Sequence, residues 1–110
     1  MNSDNTIDLV KLALDSCLMR QTAFANNMAN INTEGYQPVS VNFEQQLAQA
    51  SELNGSNLAM VKPFYQVEEM TLSPDTIMSQ SIKNMTHYRA LIKGLNQSLS
   101  IMKIALHGNS

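Results

Sequence analysis

The chain has 110 residues, room for one small domain, with 44% hydrophobic and 5% aromatic residues and no tryptophan. Its formal net charge is −2 with 15% charged residues, so it offers no basic field to a nucleic-acid backbone or an anionic membrane. A single cysteine cannot form an internal disulfide, and two well-separated histidines, His87 and His107, give no ligand cluster for structural zinc. No metal, cofactor or small-molecule substrate is therefore expected. A core in so short a chain is modest unless neighbours complete it, which makes self-association an early expectation.

The opening stretch MNSDNTIDLV lacks a basic region followed by a long apolar segment, and no apolar run reaches the length needed to span a bilayer. The chain reads as soluble, without membrane insertion and outside the general secretory route. From Ile7 onward, apolar residues recur at Ile7, Val10, Leu14, Cys17, Phe24, Met28 and Ile31, with Gln21 in the one vacant place of an alternating three-four spacing. This heptad seam predicts a helix over about residues 5 to 31, capped by Asp4 or Asn5, with Asp8 in its positive first turn.

Asparagines 26, 27, 30 and 32 weaken that helix toward its end, since their side chains compete for backbone hydrogen bonds. Gly35 then supplies a turn. Further on, VNFEQQLAQASEL predicts a short helix from about Phe43 to Glu52, with Asn42 as a cap and Gln45 three residues later. NGSN at 54–57 breaks the pattern. Residues Leu58 to Thr71, with Val61, Phe64, Tyr65 and Val67 around Pro63, read as a loop or a short strand.

The last element has the clearest start: Ser73 at the cap, Pro74 where its missing N–H is harmless, and Asp75 near the positive end of the dipole. Its seam runs Met78, Ser81, Met85, Tyr88, Ile92, Leu95, Leu99, Met102 and Leu106, broken by Ser81, and Gly108 is a stop. A helix over about residues 74 to 107 is predicted. Ile82, Leu91, Ile101 and Ile104 lie outside the seam, so the apolar surface is wider than one partner helix needs. Gly94 inside this helix costs about 1 kcal/mol against alanine, which raises the prospect of another backbone close by.

The fold expected is mainly α. Two long terminal helices pack as an antiparallel, coiled-coil-like hairpin, with a short helix and an irregular or short β segment between them. One structural domain is expected, divided into an axial helix with its Asn-rich turn (1–36), a middle segment (37–73) and a C-terminal axial helix (74–110).

Catalytic constellations are missing. Cys17 lies within an apolar seam, where a thiol is a small buried hydrophobe, and His87 beside Tyr88 has no orienting partner in the sequence. The adjacent Glu68 and Glu69 read as a solvated turn, and the glycines at 35, 55, 94 and 108 form no phosphate loop. Eight methionines suit core filling or an adaptable interface.

The stretch ANNMANINTEGY resembles the signature of bacterial flagellar rod, hook and related axial proteins, in which a helix ending in paired asparagines runs into an Asn-Thr-x-Gly-Tyr turn. The residues that carry it are Ala25, Asn26, Asn27, Ala29, Asn30, Asn32, Thr33, Gly35 and Tyr36. VNFEQQL is similar to the segment just after that turn in proximal rod proteins of the B type, with the C type as the alternative. NMTHYRALIKGLNQSLSIMKIAL is similar to the superfamily's C-terminal helix, and Tyr88, Ala90, Leu91, Ile92, Leu95, Asn96, Leu99 and Met102 are its candidate assembly residues. LSPDTIMSQ departs from the resemblance, standing where many members carry a Gly-Asn-x-Val-Asp segment.

The resemblance implies a structural subunit of the basal-body rod, self-assembling through its terminal helices into an axle that crosses the periplasm and transmits torque. It implies export by the flagellar type III apparatus without signal cleavage. The implied partners are copies of the chain, other rod proteins, the export apparatus and the membrane-ring components. Two other classes remain open on the residues alone: a small acidic helical export chaperone or adaptor, and an enzyme using Cys17 or His87.

Overall fold

A computed structural model describes residues 3–54, 58–70 and 72–108. In chain order the elements are helix α1 (Ser3–Ala29), strand β1 (Val39–Asn42), helix α2 (Glu44–Asn54), a 3-10 turn (Leu58–Met60), strand β2 (Phe64–Val67) and helix α3 (Pro74–His107). α1 packs along α3, while β1 and the 3-10 turn pack on another side of α1. The result is a slab of 63 × 30 × 14 Å.

α3 starts and stops where the sequence predicts. The Ser73 side chain accepts from the Thr76 N–H, Pro74 comes next, and Asp75 occupies the first turn. Gly108 is the C-cap, but at φ −70° it is still right-handed and its N–H donates to the Ile104 carbonyl at 2.7 Å, so no left-handed cap forms. α1 begins earlier than predicted, placing Asp4 and Asn5 in its first turn and not ahead of it, and it ends at Ala29. Asn42 does not cap α2 because it is the last residue of β1. Its amide donates to the Gln45 and Gln66 side chains, and the Phe43 carbonyl accepts the first helical bond, from Leu47. Most of the predicted break at 54–57 lies outside the described residues.

The α1–α3 packing is antiparallel, fixed by a polar layer at the positions where both apolar seams are interrupted. Gln21 Nε2 donates to Ser81 Oγ at 2.7 Å. Asn84, only 8% exposed, donates from Nδ2 to the Cys17 carbonyl at 2.8 Å and to Gln21 Oε1 at 3.1 Å. The two breaks thus face each other. Because Asn84 is bonded inward, the buried line of α3 corrects the expected seam: it includes Ile77 and Asn84, while Met78, Leu99 and Leu106 are exposed. Ser81, Tyr88, Leu95 and Met102 stay on the half-buried side, and Met85 and Ile92 are flanking. An added side chain at Gly94 would meet nothing within 4 Å, so the close approach expected there is absent among the described residues.

A second buried line on α1 holds Ser16, Ala23 and Asn27, with Arg20 between them. This side receives the hairpin. β1 and β2 pair antiparallel, Val39 with Val67 and Asn42 with Phe64, and Val41, Phe43 and Val61 are buried beneath them. Arg20 donates to the Val41 carbonyl and pairs with Glu44. Burial pushes the Glu44 carboxyl up, but the Arg20 hydrogen bond and charge, helped by His87, outweigh it and hold it below its ordinary value. The pair's small contribution is therefore present above the ordinary glutamate range and fades as pH falls through the lowered value.

The polar layer yields a test by double-mutant cycle. Gln21→Ala, Ser81→Ala and the double variant should show a coupling of about 1 kcal/mol in thermal or urea unfolding. Additive effects would show that the two side chains do not sense each other.

Candidate assembly surface

The Asn-rich end of α1 is built residue by residue from the motif. The Asn26 carbonyl accepts both the N–H (3.1 Å) and the side-chain amide (2.9 Å) of Asn30. The Asn30 carbonyl and Oδ1 then accept from the N–H (2.9 Å) and hydroxyl (3.2 Å) of Thr33, and the Thr33 carbonyl accepts from the Tyr36 N–H at 3.2 Å. These bonds wind the chain out of the helix. Gly35 sits at φ +79° with open space around it, so glycine is required there by backbone conformation and not by a neighbour.

Asn27 is the centre of the motif. It is 3% exposed, and its one amide makes three bonds of 2.9 Å: Nδ2 donates to the Val39 carbonyl, and Oδ1 accepts from the Val39 N–H and the Tyr36 hydroxyl. The side chain imitates a neighbouring strand's peptide, pairing both backbone groups of Val39 from within a helix. A small cavity of about 60 Å³ lies beside it, lined by Asn27, Asn30, Ile31, Tyr36, Pro38, Leu72 and Ile77. Asn27, Asn30 and Tyr36 are thus brought together, whereas Ala25, Asn26, Ala29, Asn32, Thr33 and Gly35 are exposed.

Of the α3 residues, Tyr88, Leu91, Ile92, Leu95 and Met102 are half-buried and Ala90, Asn96 and Leu99 exposed. Farther along, Ile101, Ile104 and Leu106 are exposed, Ile104 at 70% and Leu106 at 77%. The hairpin adds a second apolar surface, with Phe64, Tyr65 and Val67 exposed along β2 and Met60 and Met70 on either side of it. Residue spacing in the middle segment gives no sign of β1, which only its distant partner β2 reveals.

His87 lies with Arg20 and Lys83 on the rim of an open cleft of about 390 Å³ floored by Ala23, Phe24 and Val41. Cys17 is 2% exposed. Burial pushes its thiol up, against the charge of Arg20 and with that of Glu44, so the unreactive protonated form is favoured.

Replacing Asn27 should loosen the hairpin more than any other change in the turn. Asn27→Asp removes the donor to Val39 and buries a charge, and about 2–3 kcal/mol of stability is expected to be lost. Tyr36→Phe should cost about 1 kcal/mol, and Gly35→Val about 1–2 kcal/mol through its backbone conformation. Thermal unfolding of the three variants checks the ranking; an Asn27→Asp protein as stable as the parent would refute the clamp.

No protein-family model matches the chain. In an alignment 121 positions long it is 26% identical to the flagellar basal body rod protein FlgB of Bacillus subtilis (strain 168), with 94% of each chain covered. This likeness spans the Asn-rich turn, the hairpin and both long helices, and it agrees with the mainly helical architecture. Over nearly its whole length the chain is thus similar to a flagellar basal-body rod protein of the FlgB type.

Proposed function

We propose that this protein is a structural subunit of the bacterial flagellar basal-body rod, which self-assembles with its own copies and other rod proteins through its terminal helices into a torque-transmitting axle. The observation that carries the reading is the alignment to a rod protein over nearly the whole length of both chains. A physical feature supports it: α3 exposes isoleucine and leucine on several sides toward its end, and a helix apolar all round is normally buried against something. A helical array needs two different patches on each subunit, and the α3 surface and the β2 surface meet that need.

In this reading the subunit works without catalysis or cofactor. Its one thiol is buried and held protonated, and its polar side chains are spent on register and turn geometry. The three sequence segments then act as units, with the two terminal helices in the axial layer and the middle segment as the body beside it. The site is the basal-body rod in the periplasm, reached through the flagellar type III apparatus, with the export apparatus and membrane-ring components as further neighbours. The exposed motif positions and the exposed face of α3 make the contacts between subunits.

Deleting the gene should abolish swimming and leave basal bodies without complete rods in electron micrographs. Leu95→Asp should have the same effect, because it places an unpaired charge in the seam, whereas Cys17→Ala should leave motility intact. A deletion strain with complete rods, or a stable one-to-one cytoplasmic complex with the protein missing from basal bodies, would replace this reading with that of an export adaptor.

A further inference from the structure

The hairpin has two outer edges, and only one of them is closed. Its register pairs Val39 with Val67, Ser40 with Gln66, Val41 with Tyr65 and Asn42 with Phe64. In an antiparallel ladder, pairs whose main-chain groups bond each other alternate with pairs whose groups point outward. The Glu68 N–H donates to the Pro38 carbonyl, so Pro38–Glu68, Ser40–Gln66 and Asn42–Phe64 belong to the bonded set. Val39, Val41, Tyr65 and Val67 therefore point outward. On the β1 side α1 closes the edge, since Asn27 takes both main-chain groups of Val39 and Arg20 takes the Val41 carbonyl. On the β2 side the N–H and carbonyl groups of Tyr65 and Val67 meet no partner among the described residues.

β2 is the outermost element in the row α3, α1, β1, β2, and all four of its residues are exposed. Tyr65 and Val67 share a sheet face with Val39 and the buried Val41. Gln66 and Glu68 lie on the other face, where they bond Ser40, and Lys62, restricted to extended backbone by Pro63, continues that face by alternation. Two donors and two acceptors at strand spacing are matched by another extended backbone. Because β1 is closed, the strand edge that a second copy can offer is its own β2.

The sequence of β2 suits such self-pairing in one register. Antiparallel pairing centred on Gln66 sets Tyr65 against Val67 twice, an aromatic against a β-branched side chain, and uses every outward group of both strands. Centring on Tyr65 would instead bring the Val67 carbonyl to Pro63, which has no N–H to donate. The Gln66 register also makes Lys62 of each copy the diagonal neighbour of Glu68 in the other, an opposite-charge pair on each side of the axis. Glu69 falls on the other face.

We propose that β2 pairs with β2 of a second copy about a two-fold axis at Gln66, giving a four-stranded antiparallel sheet. A two-stranded hairpin is marginal, and doubling the strand number stabilises it. The contact is isologous and closes on itself, so it is a form of the free chain, and it must open before β2 can meet a neighbour in an array. It goes beyond the rod reading and does not rest on it.

The test is cross-linking of the purified full chain in a Cys17→Ala background. Gln66→Cys places two thiols on the axis, with Cα atoms about 4.5 Å apart, within disulfide reach. Mild oxidation should convert it to dimer. Phe64→Cys or Glu68→Cys alone leaves like thiols four residues apart, roughly 14 Å, and should stay monomeric, whereas mixing the two should give dimer. In sedimentation equilibrium the parent should exchange between monomer and dimer, and Val67→Pro, which removes only an outward N–H, should weaken association roughly tenfold or more. Lys62→Glu and Glu68→Lys should each weaken it several-fold, and their equimolar mixture should restore it; this exchange decides the matter should Val67→Pro alter the circular dichroism spectrum. A parent that sediments as monomer at every concentration, a Gln66→Cys chain that does not cross-link, a Phe64→Cys chain that cross-links as readily, or charge variants that fail to rescue each other overturn the pairing. None of these results bears on the rod reading, which is decided in basal bodies.

Discussion

The structure hangs on one polar layer, in which Gln21, Ser81 and Asn84 bond across two otherwise apolar helix faces. A heptad seam alone is nearly degenerate to a slip of seven residues, since each apolar layer resembles the next. Slipping this pair would bury the Asn84 amide without its acceptors, at a cost of about 1–3 kcal/mol for each unsatisfied group. The layer therefore gives up some apolar burial for a single register. That register puts Ile77 beside the Asn-rich turn and determines how much of α3 is left over at the far end.

The turn depends on the register in its own way. A two-stranded hairpin is barely stable in isolation, and β1 and β2 have only four residues each. It persists because Asn27 and Arg20 hold the carbonyls of Val39 and Val41 from α1. The paired asparagines of the motif divide the work. Asn27 points inward and supplies strand-like bonds, while the Asn26 carbonyl receives Asn30 and starts the chain out of the helix. What looks in the sequence like a helix losing its bonds is a helix handing them to the next element.

Legibility tracks how local each signal is. The bounds of α3 are readable because Ser73, Pro74 and Asp75 act within one turn. The interruptions at Gln21 and Ser81 are visible one by one, but spacing along one helix does not say which polar residue on another will meet it. Asn84 escapes a sequence reading for a related reason: hydropathy favours Met85 as the inward residue, and a buried asparagine is intelligible only once its acceptors are in place. The second buried line of α1, made of Ser16, Ala23 and Asn27, has too little apolar character to register as a stripe. β1 escapes because four residues running straight into a helix gain strand identity only from Phe64–Val67, more than twenty positions away. Glu68 and Glu69 read as a solvated turn, yet Glu68 accepts from the Ser40 hydroxyl across the hairpin.

The slab's thin dimension of 14 Å leaves little interior. Among the described residues the buried apolar side chains are Cys17, Ala23, Val41, Phe43, Val61 and Ile77, most of them small. Burial of this extent can do little more than offset the conformational entropy of ordering the chain. Meanwhile Ile82, Ile101, Ile104 and Leu106 remain more than half exposed, each able to contribute on the order of 1.5–3 kcal/mol when a neighbour covers it. Much of the available hydrophobic stabilisation thus lies on the surface, open to a neighbour. The net charge of −2 adds little repulsion to oppose contact with a neighbour. The same thin interior explains why the polar residues are so specific: fixed hydrogen bonds at Asn27 and Asn84 must define the shape that little apolar burial can hold.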